Sequence, residues 1–444
     1  MQKTQKMWSE VLNIKSDSIG LHDGFIQLGG NSLDAMRVVT IARQAGMNLS
    51  VTDMFRHSTT SIHQLTLQLK PVEEGEVPES TIQKVDPTCL LTDIARYDAQ
   101  IAAVPLNLDQ ATGTEDPQKR PTVLLTGANG VIGTQILRQF LENDQPGDLS
   151  VPHLGLEPAK WDLVKNGDVD IFVHNAASVH FLKGYDVLKP VNVASTVEMF
   201  CAATSNPGTR FVYVSSARHE DPTEDEESVA RHLAASSNGY MQTKFVSETL
   251  VRRAAHRNAN GQNQFTIVSP GLVIGTLTEG YSNTDDWIWR LTSACIRVGM
   301  YNTDNAATWV PMSDVGMIAR TIVGTAMSSG SSSQPILQIK GGLTLGDLWK
   351  TLITMGYELQ ARSGSKCAAA IRRDIQSSKE AHPLWTLSDI LGDLEDTAQD
   401  TWAASWYEDK TCSVRLRVAI QKSVRYLAET GFLSSPKGGQ GISG

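Results

Sequence analysis

A tyrosine and a lysine stand four residues apart in the segment GYMQTK, at Tyr240 and Lys244. Residues at this spacing lie on the same face of a helix, so the two side chains would be neighbours. A lysine ammonium can lower the pKa of a nearby phenol and orient it, which would make Tyr240 a proton donor to a carbonyl that is gaining a hydride. The pair alone is a weak indication, because the same spacing also arises by chance.

A glycine-rich turn earlier in the chain supplies a site for a hydride donor. The segment PTVLLTGANGVIGTQILRQF, residues 121–140, predicts a buried strand, a tight turn and a helix. Gly127, Gly130 and Gly133 would permit the turn, let the backbone approach a pyrophosphate, and let the helix pack on its strand. The start of the helix would present free N–H groups to the phosphates. The pattern predicts a dinucleotide site, with an ordinary glycine-rich turn as the alternative.

Two more strand ends follow in the order that such a site requires. The segment VDIFVHNAA predicts a buried strand that ends in three small residues, Asn175, Ala176 and Ala177. The segment FVYVSSA predicts a strand that ends in Ser215 and Ser216. Hydroxyls at the carboxyl end of a strand lie on the ligand-binding edge of a parallel sheet, although a serine pair there is often only turn chemistry. The ordered series of turn, NAA, serine and Tyr-Lys predicts one oxidoreductase site.

The segment from Val123 to about Pro311 resembles the extended short-chain dehydrogenase/reductase family, and specifically the thioester reductase domains that end some peptide synthetases and carboxylic acid reductases. The resemblance rests on TGANGVIG, GDLSVPHLGL, HNAA, PVNVAST, YVSSA, YMQTK and SPGLVIG. It implies a catalytic triad of Ser216, Tyr240 and Lys244, with Ser215 as the fallback for Ser216. The chain departs from the family at Ser269, where an arginine is common.

The same resemblance implies NADPH as the cofactor and a set of residues that contact it. Asp148 would lie near the adenine, and Pro270 and Gly271 would flank the nicotinamide. The implied cofactor-binding residues are Thr126, Gly127, Asn129, Gly130, Val131, Ile132, Gly133, Asp148, Leu149, Asn175, Ala176, Ala177, Asn192, Ser215, Tyr240, Lys244, Pro270 and Gly271.

One part of the expected fold has no counterpart in the sequence. A doubly wound sheet needs a second strand, a helix and a third strand after the first helix, yet residues 141–164, LENDQPGDLSVPHLGLEPAKWDLV, contain no apolar strand of useful length. We therefore expect a block of the fold to be missing from this chain. The end of the second strand distinguishes a free ribose hydroxyl from a 2′-phosphate, so the NADP preference comes from the resemblance alone.

The first 70 residues form a separate pattern of three apolar helical stripes, which predicts a small helical bundle. In the loop FIQLGGNSLDAMR, Asn31 and Ser32 stand where a helix should begin, so either could be a simple N-cap. The stretch from Trp8 to Phe55 resembles the peptidyl carrier domain of nonribosomal peptide synthetases. This resemblance implies that Ser32 carries 4′-phosphopantetheine, attached by a phosphopantetheinyl transferase.

The predicted fold class is a small all-α four-helix carrier bundle, followed by an α/β Rossmann-type doubly wound parallel sheet with a smaller, mostly helical substrate subdomain. We predict a carrier at 1–70, a linker at 71–120, the NAD(P)-binding domain at 121–280 and mainly the substrate-binding subdomain at 281–444. Within the linker, residues 90–108 should pack as a helix on one of the domains. The acidic stretch 218–238 should be a solvated loop beside the active site.

Composition excludes several classes of function. The chain has 444 residues and a net charge of −9, with no basic run, which argues against nucleic acid or an anionic membrane as a partner. No apolar stretch approaches the roughly 20 residues of a membrane span, so we expect a cytoplasmic location. The five cysteines and the histidines lack metal-ligand spacing, and we expect no metal site.

These patterns predict reductive release of a phosphopantetheine-tethered acyl or peptidyl thioester as an aldehyde, with further reduction to an alcohol left open. The expected partners are upstream adenylation or condensation domains of the same polypeptide, the transferase and the thioester substrate. Two alternatives stay open. A domain of the same fold could release its product by Dieckmann-type cyclisation, and a carrier with an inert Rossmann-type scaffold could act as an interaction module.

Overall fold

The computed structural model describes most of the chain from residue 85 onward and a smaller part before it. The described ranges are 2–12, 14–25, 85–104, 121–140, 158–165, 169–180, 183–206, 208–217, 225–236, 238–257, 264–328, 336–378, 382–385 and 412–436, with isolated residues between 28 and 71. Three predicted site residues, Ser32, Asp148 and Leu149, lie outside the described residues.

Helices lie between the strands of the main sheet from residue 121 to residue 338. The helices are α1 (Gln2–Leu12), α2 (Pro87–Ala102), α3 (Val131–Phe140), α4 (Pro158–Lys165), α5 (Tyr185–Lys189), α6 (Ser195–Ser205), α7 (Glu226–Ser236), α8 (Gly239–Arg257), α9 (Trp287–Val298), α10 (Val315–Met327), α11 (Leu345–Thr354), α12 (Gly364–Ser378) and α13 (Cys412–Glu429). The strands are β1 (Val123–Thr126), β2 (Ile171–His174), β3 (Arg210–Val214), β4 (Gln264–Ser269), β5 (Leu272–Ile274), β6 (Met300–Asn302), β7 (Trp309–Asp314), β8 (Ile336–Gln338), β9 (Gly342–Thr344) and β10 (Gln360–Arg362).

Five of these strands form one parallel sheet in the order β8-β4-β3-β2-β1. The strands of its centre are continuous apolar runs because both faces of the sheet are covered by helices. Ile171, Phe172 and Val173 of β2 are fully buried, and Phe211 of β3 is as well. The sheet is the Rossmann-type core that the sequence predicts.

Alternate residues of β2 point to opposite faces of this sheet and so reveal which helices cover each face. Ile171 and Val173 pack in a cluster with Ile136 of α3 and Ile318 of α10. Phe172 packs in a different cluster, which contains Trp161 of α4 together with residues of α2, α6 and α8. Helices α3 and α10 therefore lie on one face, and α2, α4, α6 and α8 on the other.

Helix α2 lies inside the predicted linker and is a structural part of the reductase core. Leu90 and Ile94 are buried in the same cluster as Phe172. Asp93 of this helix accepts a hydrogen bond from the Tyr185 hydroxyl at 2.9 Å. The guanidinium of Arg257 in α8 donates to Asp98 at 2.7 Å. The predicted helix is confirmed, and these contacts join it to α5 and α8.

The predicted acidic loop is partly wrong. Residues 226–236 form helix α7, in which Val229, Ala230, Leu233 and Ala234 are buried against the core. These residues recur at the three- and four-residue spacing of a helix face, which indicates a helix. The acidic residues before them led to the prediction of a loop for the whole segment. Residues 218–224 lie outside the described residues.

The substrate-side subdomain has its own core and is not continuous in sequence. Strands β9, β7 and β5 form a three-stranded sheet, β10 pairs with β6, and helices α9, α11, α12 and α13 pack around them. Between these elements the chain returns to the nucleotide-binding sheet, since α10 packs on α3 and β8 pairs with β4, beyond the predicted boundary at residue 280. Trp289 and Trp385 are buried in this core, whereas Trp402 and Trp406 lie outside the described residues.

The carrier region is described only in part. Helix α1 is followed by one 3₁₀ turn at Ser16–Ser18, and the ring of Trp8 meets that of Phe25 edge-on at 4.9 Å. The predicted four-helix bundle lies largely outside the described residues. In the described part of the chain, no helix combines the length and apolarity that a membrane crossing requires.

The packing of α2 leads to a stability prediction. We expect Ile94→Ala to lower the free energy of unfolding by about 2–5 kcal/mol, because the truncation leaves a cavity under a fully buried side chain. The exposed Thr92→Ala on the same helix should change it by less than about 0.5 kcal/mol. Urea unfolding followed by tryptophan fluorescence measures both, and equal effects of the two variants would show that α2 is only a tether.

Candidate active site

The predicted motifs meet at one edge of the parallel sheet. Thr126, which ends β1, pairs in register with His174 at the end of β2, and His174 pairs with Tyr213 in β3. Because the strands are parallel, their carboxyl ends and the residues that follow them lie side by side. The glycine turn, the NAA segment and the serine pair are therefore adjacent in space.

The first and third glycines of the turn are required by close contacts. Gly127 has a φ of +69°, a conformation that strongly favours glycine. A Cβ on Gly133 would lie 1.8 Å from the Gly127 carbonyl oxygen, so α3 can approach the turn only without one. Gly130 differs from both, because it is exposed and a Cβ there would meet no protein atom closer than 3.4 Å. The space over Gly130 is open to a ligand.

A buried chain of hydrogen bonds passes through the His174 ring. The Thr196 hydroxyl donates to the Asn192 carbonyl at 2.7 Å, so its lone pair is left to accept from His174 Nε2 at 3.0 Å. His174 Nδ1 then accepts from the Thr126 hydroxyl at 2.9 Å, and Thr126 Oγ1 accepts from the Ala176 N–H at 3.2 Å. Burial lowers the pKa of His174 to about 3, which keeps the ring neutral. The histidine is structural, as its sequence context predicts.

Asn192 lies in a π-helical turn, Pro190–Ala194, and supports the loop after β2. Its side-chain oxygen accepts from the Ser178 N–H at 2.7 Å, and its amide nitrogen donates to the Ser178 carbonyl at 3.1 Å and to Thr243 Oγ1 at 3.0 Å. The amide is therefore committed to protein partners. This geometry makes Asn192 a positioning residue for the loop, and its predicted contact with the cofactor stays a prediction.

The structure brings Tyr240 to Ser216. The two side chains are hydrogen-bonded to each other, at the start of α8 and just beyond the end of β3. Burial raises the pKa of Tyr240 to about 12, partly offset by the Ser216 hydrogen bond. The Ser215 hydroxyl has a different partner, since it donates to the Glu248 carboxylate at 2.7 Å. The geometry favours Ser216 over the fallback Ser215 as the partner of Tyr240.

Lys244 is buried one helical turn after Tyr240. Its ammonium donates to the Val214 carbonyl at 2.7 Å and lies 4.8 Å from the centre of the Tyr213 ring. Burial lowers the pKa of Lys244 to about 7, although the nearby Glu248 carboxylate acts in the opposite direction. The expected lowering of the Tyr240 pKa by Lys244 is not found, because the lysine directs its ammonium to the strand end and the phenol is itself desolvated.

Two acidic residues near the site were missed by the sequence analysis. Glu248 is buried, accepts from Ser215 and pairs with Arg252 at 2.6 Å. It stands four residues after Lys244, so the spacing that singled out Tyr240 and Lys244 could have found it. Asp286, at the N-cap of α9, acts electrostatically on Tyr240, and burial raises its pKa to about 7. No local sequence signal connects Asp286 to Tyr240.

The remaining predicted cofactor residues lie around the same edge. The Asn175 amide donates to the Gly127 carbonyl at 3.1 Å, which ties the NAA segment to the glycine turn. The Pro270 carbonyl accepts from the Ala217 N–H at 2.8 Å, and a Cβ on Gly271 would lie 2.5 Å from the Pro311 carbonyl oxygen. Asn129, Val131 and Ile132 lie in the turn and the first turn of α3. No cluster of metal-ligating side chains is found in the described part of the chain.

These residues fit the pyrophosphate and nicotinamide parts of a dinucleotide. The first N–H groups of a helix have no partners within it, and the exposed Gly130 directly before α3 leaves room beside them, which suits a pyrophosphate. The hydrogen-bonded Ser216 and Tyr240 stand beyond the end of β3, two strands from β1, where the nicotinamide ring of such a cofactor would reach.

Two family models match separate parts of the chain. Residues 2–61 match the phosphopantetheine attachment site family, and residues 145–322 match a family of NAD-binding domains described as male sterility protein. Among solved structures, the reductase domain of PhqB from Penicillium fellutanum superposes with a TM-score of 0.61 at 23% identity, over 77% of this chain and 99% of that one. A thiolation-reductase di-domain from an archaeal nonribosomal peptide synthetase superposes with a TM-score of 0.58 at 17% identity, over 97% of each chain. These two likenesses concern the fold.

Curated relatives are large synthetases. Peramine synthetase from Metarhizium rileyi is 47% identical over 98% of this chain and 17% of its own length, and peramine synthetase A from Epichloe festucae is 44% identical over the same shares. The chain thus spans about a sixth of the length of these relatives. The alignment with the M. rileyi protein covers 483 positions, and 98% of 444 residues supplies about 435 of them, so about 48 positions of the relative have no counterpart here.

The parallel sheet, the glycine turn and the match of residues 145–322 to the NAD-binding family define an NAD(P)-binding reductase domain. The chain as a whole is a phosphopantetheine carrier region followed by a thioester reductase domain of the nonribosomal peptide synthetase class. Its cofactors are accordingly 4′-phosphopantetheine and NAD(P)H.

The glycine contacts predict different outcomes for two alanine variants. Gly133→Ala should destabilise the reductase domain, because the new Cβ meets the Gly127 carbonyl at 1.8 Å. Gly130→Ala should keep the wild-type melting temperature, since a Cβ there would lie no closer than 3.4 Å to another protein atom. It should weaken cofactor binding, because the Cβ enters the open space over the turn. Thermal unfolding and quenching of tryptophan fluorescence by NADPH separate the two effects, and a large loss of stability in Gly130→Ala would contradict this description of the turn.

Burial of Lys244 predicts a pH dependence of stability. Its pKa is lowered from 10.5 to about 7, so above pH 7 the unfolded chain binds one more proton than the folded chain. Stability should therefore rise between pH 7 and about 10, by up to about 1.4 kcal/mol per pH unit from this residue. Lys244→Met should flatten the curve, whereas Lys350→Met, at an exposed lysine, should not. Urea titrations across this range measure the slope, and equal slopes in all three proteins would exclude a desolvated Lys244.

Proposed function

We propose that this chain releases an acyl or peptidyl group from a phosphopantetheine thioester by reduction, as an aldehyde. The observation that carries the proposal is the hydrogen-bonded pair of Ser216 and Tyr240 at the sheet edge, next to the buried Lys244 and the open glycine turn. Two neutral hydroxyls side by side can donate to the oxygen of a carbonyl that acquires negative charge.

When bound, the reduced nicotinamide supplies the hydride to the thioester carbonyl carbon. The hydroxyls of Ser216 and Tyr240 hydrogen-bond to the carbonyl oxygen, and Tyr240 gives it a proton as the carbon becomes tetrahedral. The hydroxyl proton of the resulting hemithioacetal returns to the Tyr240 phenolate as the carbon–sulfur bond breaks, and the departing sulfur takes a proton from solvent. The pantetheine sulfur leaves as the thiol and the acyl group leaves as the aldehyde. A second hydride transfer to that aldehyde would give an alcohol.

In this mechanism Lys244 has two roles: it positions the end of β3, and it binds the cofactor. Its ammonium is held by the Val214 carbonyl, two residues before Ser216, so it fixes the strand end that carries the serine. The resemblance to the reductase family supports a further contact to the nicotinamide ribose. With a pKa of about 7, a large fraction of the lysine is charged at neutral pH and can donate to a ribose hydroxyl.

We infer that Ser32 carries the phosphopantetheine arm that brings the thioester to this site. The match of residues 2–61 to the phosphopantetheine attachment family supports this role, as does the LGGNS signature. The carrier would be a four-helix bundle, and a phosphopantetheinyl transferase would be its modifying partner. A serine at the start of a helix tolerates the added phosphodiester charge because the helix dipole stabilises anions there.

The full protein would contain further synthetase domains in the same polypeptide. The peramine synthetases share 44–47% identity with this chain and are several times longer. We propose that upstream adenylation or condensation domains load and extend the acyl group on carriers, and that this segment removes the finished product in the cytoplasm. The substrate would be a peptidyl or aminoacyl thioester of the kind that such synthetases assemble.

The reductive mechanism is tested by substitution of the phenol. We expect Tyr240→Phe to lower the rate of NADPH consumption and aldehyde release by about 10²- to 10⁴-fold, because the proton donor to the carbonyl oxygen is lost. Ser216→Ala should have a smaller effect of the same kind, and Ser215→Ala should mainly lower stability. Ser32 is loaded with an acyl-pantetheine group first, and the released product is identified by mass spectrometry.

A matched control separates delivery from chemistry. Ser32→Ala should abolish turnover of a carrier-bound thioester but leave reduction of a free acyl-pantetheine thioester unchanged. Product release by Tyr240→Phe at the wild-type rate, without NADPH consumption, would contradict reduction and would point to Dieckmann-type cyclisation.

A further inference from the structure

The first strand of the nucleotide-binding sheet is an edge strand. Strand β1 pairs with β2 on one side, and no strand of the described chain pairs with its other side. Val123, Leu124 and Leu125 of β1 are accordingly half-buried, whereas their register partners Ile171, Phe172 and Val173 are fully buried. In the usual doubly wound order, strands two and three lie on that other side of strand one.

The chain changes face between α3 and α4. Helix α3 covers the face marked by Ile171 and Val173, and α4 covers the face marked by Phe172. In the usual order, the helix after strand one and the helix before strand four also lie on opposite faces, with strands two and three between them. Helices α3 and α4 therefore occupy these two places.

Too few residues join these two helices for the intervening unit. Residues 141–157 number 17, and two strands of about five residues with a crossover of a dozen or more need roughly 22. The M. rileyi relative has about 48 positions without a counterpart in this chain, which is the size of such a unit with its loops. The expected missing block thus agrees with the length of the chain and with the topology of the sheet.

The missing unit is the part of the fold that recognises the adenosine ribose. The end of the second strand carries the acidic residue that binds a free 2′-hydroxyl, or lies near the arginine that binds a 2′-phosphate. The basic residue in the last turn of α3, Arg138, is paired with Glu279 at 3.2 Å. The groups that face the pyrophosphate and the nicotinamide are all present.

We propose that this chain holds its cofactor by the pyrophosphate and the nicotinamide, and that it does not discriminate between NADPH and NADH. The inference rests on the proposed function for the identity of the ligand and deepens it. Binding energy that the family obtains from the 2′-phosphate is not available here, so both cofactors bind through the same groups. NADH therefore serves as a hydride donor as well as NADPH does.

Direct binding tests this specificity without turnover. The quenching of tryptophan fluorescence in the full chain is titrated with NADPH and with NADH, and 2′,5′-ADP and 5′-ADP are added as competitors. We expect the two cofactor dissociation constants to agree within about threefold, and 2′,5′-ADP to compete no better than 5′-ADP. Tighter binding of NADPH by tenfold or more, which is about 1.4 kcal/mol, would overturn the inference and leave the proposed function intact.

Two variants check that the signal comes from this site. Gly130→Leu should weaken the binding of NADPH and of NADH by the same factor, because the leucine side chain enters the space over the turn. Gly324→Ala, in α10, adds a Cβ that meets nothing within 4 Å and should change neither dissociation constant. A loss confined to NADPH in Gly130→Leu would contradict the inference. Binding of neither cofactor to the unaltered chain would overturn both the inference and the reductase function.

Discussion

The active edge depends on the buried hydrogen-bond chain through His174. A neutral imidazole in a dry site accepts from Thr126 and donates to Thr196, so it connects the end of β1, the end of β2 and the π-helical turn that carries Asn192. Asn192 in turn holds both backbone groups of Ser178. Thr126, Thr196 and Asn192 are buried, and an unpaired polar group there would cost its full desolvation, so the arrangement is strongly determined.

Lys244 connects this support to the reacting groups. Its ammonium is bound to the last carbonyl of β3, so the helix that presents Tyr240 and the strand that leads to Ser216 are held in one relative position. The same burial that makes this contact strong lowers the pKa of the lysine and raises that of Tyr240. With its pKa raised, Tyr240 is a neutral hydrogen-bond donor. A neutral phenol stabilises a developing oxyanion and does not ionise before the hydride is transferred.

The carrier and the reductase place different demands on the chain between them. The proposed function requires a tethered thioester to reach the active edge, yet helix α2, within the predicted linker, is packed firmly through Leu90, Ile94 and Asp93. The reductase fold therefore begins at residue 85 or before. The side of β1 that does not face β2 contrasts with this packing, because no strand of the described residues pairs with it.

The sequence by itself determined the Rossmann-type fold of the reductase part, the order of the motifs and the placement of Tyr240 and Lys244 on one helix, because helical spacing and apolar strands are local properties. It also predicts a missing block, since the length of a connection can be counted in the chain. Only the tertiary structure decided between Ser216 and Ser215, assigned Asn192 to the loop after β2 and brought Asp286 to Tyr240. These outcomes depend on the distances between elements far apart in sequence, and on the burial that results when they pack.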